Sequence, residues 1–214
     1  MQIFDPSIAS AIASKLLEIE AIRLQPENPF TWASGWKSPI YCDNRLSLSY
    51  PSIRSFIKGS LQGAILHHFK SVECIAGVAT AGIPQGALLA DSLELPFVYV
   101  RSKAKGHGME NMIEGKVIPG QKVVVVEDLV STGGSSLKAV ADLKAAGFEV
   151  LGMAAIFTYG FEVAMENFNK AGVSLVCLSD YSSMLPQAVA KNYIDEATLN
   201  SLEEWRRNPA EWGK

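Results

Sequence analysis

Glu127 and Asp128 stand side by side directly after Val123-Val124-Val125-Val126, and Ser131-Thr132-Gly133-Gly134-Ser135-Ser136 follows two apolar residues later. Four β-branched residues in a row, with Pro119-Gly120 upstream, predict a strand buried on both faces that the two carboxylates close. Leu137, Val140, Ala141 and Leu143 then recur at helical spacing, so a helix is predicted from near Gly134. Strand, small polar loop and helix N-terminus together suit an anion. Glycines let the backbone approach a ligand closely, their N–H groups point inward, and the helix dipole favours negative charge. Ser131, Thr132 and Ser135 add hydroxyl donors to the same cup, which fits a phosphate.

The acidic pair narrows the class of phosphate compound. Two carboxylates would repel a polyphosphate unless a metal or a sugar lay between. Ribose hydroxyls beside a cradled 5-phosphate would instead satisfy them as hydrogen-bond acceptors. Neither the Walker pattern of nucleotide triphosphatases nor the GxGxxG dinucleotide pattern occurs in the chain.

Two further groups of residues could do chemistry. Arg101, Lys103, Lys105 and His107 follow an apolar strand, Leu95 to Val100, and open a glycine-bearing run with few large apolar residues. Residues 102 to 117 are therefore expected to form a long mobile loop carrying local positive charge in a chain whose net charge is −3. Upstream, Phe30, Trp32, Trp36 and Tyr41 are interleaved with Lys37 and Arg45, and two extended segments around Ser34-Gly35-Trp36-Lys37 predict a hairpin. Aromatics beside cations suit a flat, anionic heterocycle, or simply a hairpin packed on the core.

The elements that must position these residues alternate. A helix is expected over residues 6 to 22, capped by Asp5-Pro6, and another over 51 to 69, where His67 and His68 complement the C-terminal end. Cys74 to Ala79 is a short buried strand ending in the turn Thr80-Ala81-Gly82-Ile83-Pro84, which leads into a helix. Strands are expected over 148 to 157 and 173 to 178, with helices over 161 to 171 and from 194 to 207. The pattern predicts an α/β protein with a mainly parallel sheet covered on both faces and a site at the carboxyl ends of its strands. Trp205 and Trp212 are expected to pack rather than bind.

Two motifs carry a family resemblance. The hydrophobic run, Glu127-Asp128 and Ser131-Thr132-Gly133-Gly134-Ser135 resemble the PRPP-binding motif of type I phosphoribosyltransferases, PRPP being 5-phosphoribosyl 1-diphosphate. Phe30, Ser34-Gly35, Ser38-Pro39, Tyr41, Asp43 and Arg45 resemble the N-terminal hood of the orotate phosphoribosyltransferases. The resemblance spans roughly residues 28 to 178 and implies the type I fold, one domain over residues 1–214 with a small hood at about 29–45. It implies transfer of ribose 5-phosphate from PRPP to orotate, giving orotidine 5-monophosphate and diphosphate in pyrimidine biosynthesis. It implies PRPP contacts from Arg101, Lys105 and His107 and from Glu127, Asp128, Leu129, Val130, Ser131, Thr132, Gly133, Gly134 and Ser135. Lys105 and His107 are the implied catalytic residues, and Ser131 also touches orotate. Mg²⁺ would be held through PRPP, with no direct protein ligand. The loop would reach into a neighbouring subunit, making a homodimer.

The chain departs from the family pattern at Ala33, Ala81 and Ser102, where many relatives carry Lys, and near Tyr159, where some carry an orotate-binding Arg. Transfer to another base therefore stays open, as does a non-catalytic PRPP-binding regulator. For the regulator, only about 28 residues precede the hood, without a basic recognition helix.

The whole chain bounds the remainder. Its 214 residues are 48% hydrophobic and 19% charged, an ordinary globular balance. A net charge of −3 gives no global basic surface for nucleic acid. Three scattered cysteines, Cys42, Cys74 and Cys177, suit neither a disulfide scaffold nor a zinc site. No signal pattern and no membrane-length apolar run is read, so a cytoplasmic protein is expected.

Overall fold

The computed structural model describes residues 1–32, 35–103 and 112–212. In chain order the first elements are β1 (Gln2–Ile3), α1 (Pro6–Glu18), β2 (Ile22–Leu24), β3 (Phe30–Thr31), β4 (Lys37–Ser38) and β5 (Ile40–Cys42). A 3₁₀ helix, Asn44–Ser49, leads into α2 (Pro51–His68), β6 (Cys74–Val78), α3 (Gly82–Leu93), β7 (Phe97–Val100) and β8 (Ile113–Glu114). Then come β9 (Lys122–Val130), α4 (Gly134–Ala145), β10 (Glu149–Thr158), α5 (Glu162–Lys170), β11 (Leu175–Asp180), α6 (Tyr181–Ala190) and α7 (Glu196–Arg207).

The main sheet runs in the order β1-β11-β10-β9-β6-β7-β8, and every pairing is parallel except β7 with β8. Successive connections from β9 move through β10 to β11, whereas the connection from β6 moves the other way to β7. The winding therefore reverses between β6 and β9. Loops leaving the carboxyl ends of two such strands diverge and open a crevice, where α/β proteins place ligands.

β9 shows why the four-valine run is a central strand. Val124 and Val126 enter the core beneath α1, α2 and α3, while Val123 and Val125 enter the opposite core beneath α4 and α5. All four are fully buried. At about 1.5–3 kcal/mol for each buried valine, this strand is among the strongest local contributions to the fold.

Several boundaries differ from the sequence expectation for identifiable reasons. The strand does not close at the acidic pair: Leu129 and Val130 keep pairing with Phe157 and Thr158, so Glu127 and Asp128 lie within β9. The first helix stops at Glu18 rather than reaching 22, because Glu20 takes a left-handed φ of 56° and Ile22 begins β2. In the segment read as loop, Ile113–Glu114 pairs with Val100 and Tyr99, and the Arg101 N–H donates to the Met112 carbonyl at 2.8 Å. α6 was hidden from the sequence reading by Pro186 inside it; Asp180 caps it, accepting from the Ser183 N–H at 2.8 Å.

The hood consists of two small antiparallel pairs, β2 with β5 and the hairpin β3 with β4. Thr31 pairs with Lys37, as expected for the hairpin, and the Lys37 Nζ donates to the Thr31 hydroxyl at 3.0 Å. Ser34 and Ala33 lie outside the described residues.

Candidate active site at the switch point

The loop after β9 is built from local constraints. Gly133 is the N-cap of α4 with φ 81°, and a Cβ there would lie 2.7 Å from the Phe168 ring. The conformation and the packing both require glycine. No side chain caps α4, so the N–H groups of its first turn are open to an anion, and Gly134 and Ser135 are exposed there. The loop is braced from behind, where the Asn167 side-chain amide donates to the Thr132 carbonyl at 3.0 Å.

The acidic pair is held in the same way. Glu127 is 6% exposed, and its two oxygens accept from the Asp128 N–H at 3.1 Å and from the Ser136 hydroxyl at 3.0 Å. Burial pushes its carboxyl well above the ordinary range, and the neighbouring Asp128 charge adds to this. Asp128 is half-buried, and burial raises it too. A buried acidic pair whose carboxyls are both raised is a mark of functional sites.

Across the crevice, the loop after β6 brings up the start of α3. A Cβ on Gly82 would lie 2.5 Å from the Val126 carbonyl oxygen, so only glycine lets α3 approach β9 just ahead of the acidic pair. α3 also begins with no side-chain cap, and Ala81 supplies no charge.

Beside the acidic pair a pocket of about 400 Å³ is lined by Phe30, Thr31, Trp32, Tyr41, Cys42, Leu129, Ser131 and Tyr159. Its walls are aromatic. Trp32 and Tyr159 have ring centroids 5.1 Å apart, and Phe30 and Tyr41 are 5.5 Å apart. The Arg23 guanidinium lies 5.6 Å from the Phe30 centroid and 5.2 Å from that of Tyr41, a cation–π platform behind the wall. Ser131 lines this pocket and also begins the phosphate-type loop.

The sequence-predicted residues therefore divide. Glu127, Asp128, Ser131, Thr132, Gly133, Gly134 and Ser135 come together at the end of β9 and the start of α4. Leu129 lines the aromatic pocket, while Val130 is fully buried and its carbonyl accepts from the Thr158 hydroxyl at 2.9 Å. Arg101 directly follows β7, and its guanidinium pairs with Glu114 at 3.1 Å. Lys105 and His107 lie outside the described residues. Arg45 forks onto Asp43, Nε to Oδ1 at 2.6 Å and the second nitrogen to Oδ2 at 2.8 Å.

Sequence reasoning passed over Asn44, Ser136 and Tyr159 as working parts of the site. Asn44 is 1% exposed and donates to the Asp128 carbonyl at 2.7 Å; its only signal was a polar residue inside the Tyr-x-Asp-x-Arg run. Ser136 completed the polar run after the strand without a role of its own.

A reversed-winding parallel sheet, an acidic pair beside an uncapped helix and an adjoining aromatic pocket define a sugar-phosphate-binding α/β protein. The comparisons agree and go further. Residues 55–176 match the family "Phosphoribosyl transferase domain". The chain is 60% identical over 203 residues to "Orotate phosphoribosyltransferase" of Cytophaga hutchinsonii, covering 95% of this chain and 97% of that one. It is likewise 60% identical over 200 residues to the protein of that name from Bacteroides fragilis, covering 94% of each. The crystal structure of orotate phosphoribosyltransferase from Aeropyrum pernix is similar at 32% identity and a TM-score of 0.74, over 82% of this chain and 97% of that one. The chain belongs to the phosphoribosyltransferases and, within them, to the orotate phosphoribosyltransferase family.

Proposed function

We propose that this chain transfers the 5-phosphoribosyl group of PRPP to orotate, giving orotidine 5-monophosphate and diphosphate in pyrimidine biosynthesis. The observation that carries this reading is the position of Ser131, shared between the loop leading into the uncapped α4 and the aromatic pocket beside it. A sugar phosphate seated on the loop would present its anomeric carbon toward a flat base in the pocket.

On this reading each part of the site has a role. The first-turn N–H groups of α4, with Thr132 and Ser135, hold the 5-phosphate. Glu127 and Asp128 accept from the ribose hydroxyls. The aromatic walls orient the base so that its nitrogen attacks the anomeric carbon as the bond to diphosphate breaks. The carbon gains oxocarbenium character between the two events, and alignment of donor and acceptor supplies much of the rate. Arg101, Lys105 and His107 neutralise charge on the departing diphosphate. Mg²⁺ would be held through PRPP. When bound, the ion offsets charge on the leaving group.

The loop after Arg101 would close over the site from a partner subunit in a homodimer. Cys42, Cys74 and Cys177 are free thiols. No described helix is long and apolar enough to cross a membrane.

The aromatic pocket offers neutral polar groups and has Tyr159 in its wall, while the hood cations stand behind that wall, Arg23 against Phe30 and Tyr41 and Lys37 beside Thr31. Transfer to a different base is the competing reading. The phosphate half of the assignment is tested by titrating PRPP with Mg²⁺ into the wild type and Asp128→Asn in a calorimeter. Binding by the wild type that weakens tenfold or more in the variant is expected; equal binding would remove Asp128 from the ribose site.

A further inference from the structure

α7 is a poor core helix. Among its residues only Leu202 and Trp205 are buried, and an open groove of about 760 Å³ lies between it and α6. Asp195 caps its start, accepting from the Thr198 N–H at 2.8 Å. The Tyr181 hydroxyl ties it to α6 by donating to the Leu202 carbonyl at 3.1 Å.

Trp205 reaches elsewhere. It is fully buried, and its indole N–H donates to the carbonyl of Lys37, in the hood hairpin, at 3.1 Å across 168 positions of sequence. Its ring meets Trp32 edge-on at 5.6 Å and Tyr159 edge-on at 5.8 Å, and both of those residues wall the aromatic pocket. Trp32 is also tethered within the hood, its backbone N–H donating to the Trp36 carbonyl at 2.9 Å and its indole N–H to the Ile40 carbonyl of β5 at 3.4 Å. β3 and β4 are two residues each, too short to fix their own position. The hairpin is held over the strand ends by Trp32, which packs on Tyr159 and Phe161, and from outside by Trp205.

We infer that Trp205 is a positioning residue for the base pocket: the C-terminal helix braces the hood from outside, so affinity for the base depends on a residue that does not line the pocket. The inference rests on the assignment of the base to that pocket. The phosphate loop and the acidic pair share no direct contact with Trp205, so PRPP affinity should not follow.

The test separates these claims by steady-state kinetics with orotate and PRPP varied independently. Trp205→Phe keeps an aromatic ring and removes the N–H donor. The KM for orotate should rise about fivefold to tenfold, with the KM for PRPP within about twofold. Leu202→Ala, on the same helix, should lower thermal stability and leave the orotate KM unmoved. Unchanged KM values in Trp205→Phe alongside a raised orotate KM in Trp32→Ala would overturn the brace and keep the pocket. An orotate KM insensitive to Trp32→Ala would discard the pocket, and the brace with it. Should Trp205→Phe fail to fold, amide hydrogen exchange on the wild type decides: orotate should slow exchange in α7 as well as in the hairpin. Protection confined to the hairpin would overturn the inference.

Discussion

The side-chain amide of Asn44 donates to the backbone carbonyl of Asp128 at 2.7 Å, joining the end of the hood to the acidic strand across 84 positions of sequence. The Asn44 side-chain Oδ1 in turn accepts from the Cys42 thiol at 3.3 Å, and Cys42 lines the aromatic pocket. One buried amide therefore couples the wall of the base pocket to the ribose site.

Asn44→Ala leaves the Asp128 carbonyl short of its donor in a buried setting. The expected cost is about 1–3 kcal/mol, and each kcal/mol lowers the melting temperature of a chain this size by about 2–4 °C. The KM for PRPP should rise as well, since the backbone under Asp128 loses its brace. Thermal melts and initial rates check both; normal melting and kinetics would show that the amide is incidental.

The acidic pair makes stability depend on pH in a definite direction. Burial, with the neighbouring Asp128 charge, raises Glu127 above its unfolded value. A carboxyl raised on folding destabilises the fold once it ionises. The penalty is absent below the unfolded pKa and complete above the folded one. Glu127→Gln should therefore melt higher than the wild type at about pH 8.5, with the advantage fading as the pH falls toward about 5. Its activity should fall at every pH, because an amide replaces a ribose acceptor. An advantage that grows toward acid would contradict the assignment.

Adjacent glycines should answer differently. Gly133→Ala forces a left-handed residue to carry a Cβ 2.7 Å from Phe168, so stability should fall by about 1–2 kcal/mol from the backbone alone. Gly134→Ala meets nothing within 4 Å, and melting should be unchanged. If the phosphate lies against the first turn of α4, Gly134→Ala should nonetheless raise the KM for PRPP. Both variants behaving alike in melting and in kinetics would argue that the loop holds no ligand.

Lys105→Ala should lower turnover by at least an order of magnitude with melting unchanged, the expectation for a charge used only as the diphosphate leaves. Parallel losses of activity and stability would give Lys105 a structural role instead.

The central strand and the helix that follows it were legible because local signals sufficed. Four valines specify a strand with two buried faces, and Gly133-Gly134 marks the start of α4. The extent of β9 was not, since Leu129 and Val130 stay in the sheet only through their partners on β10. The hood was legible as a hairpin of aromatics and Trp205 as a packing residue, whereas the partners of Arg23, Asn44 and Trp205 were not, because each is supplied by the tertiary fold. α6 tolerates Pro186 because Asp180 caps the helix and its apolar face is buried, an outcome that propensity alone opposes.

The most direct test follows the ultraviolet absorbance of orotate in the presence of the purified protein, PRPP and Mg²⁺. Orotate absorbance should fall only when all components are present, and adenine, hypoxanthine and uracil should leave PRPP unconsumed. Consumption of PRPP with one of those bases, and none with orotate, would contradict the assignment of the aromatic pocket while leaving the phosphate loop in place.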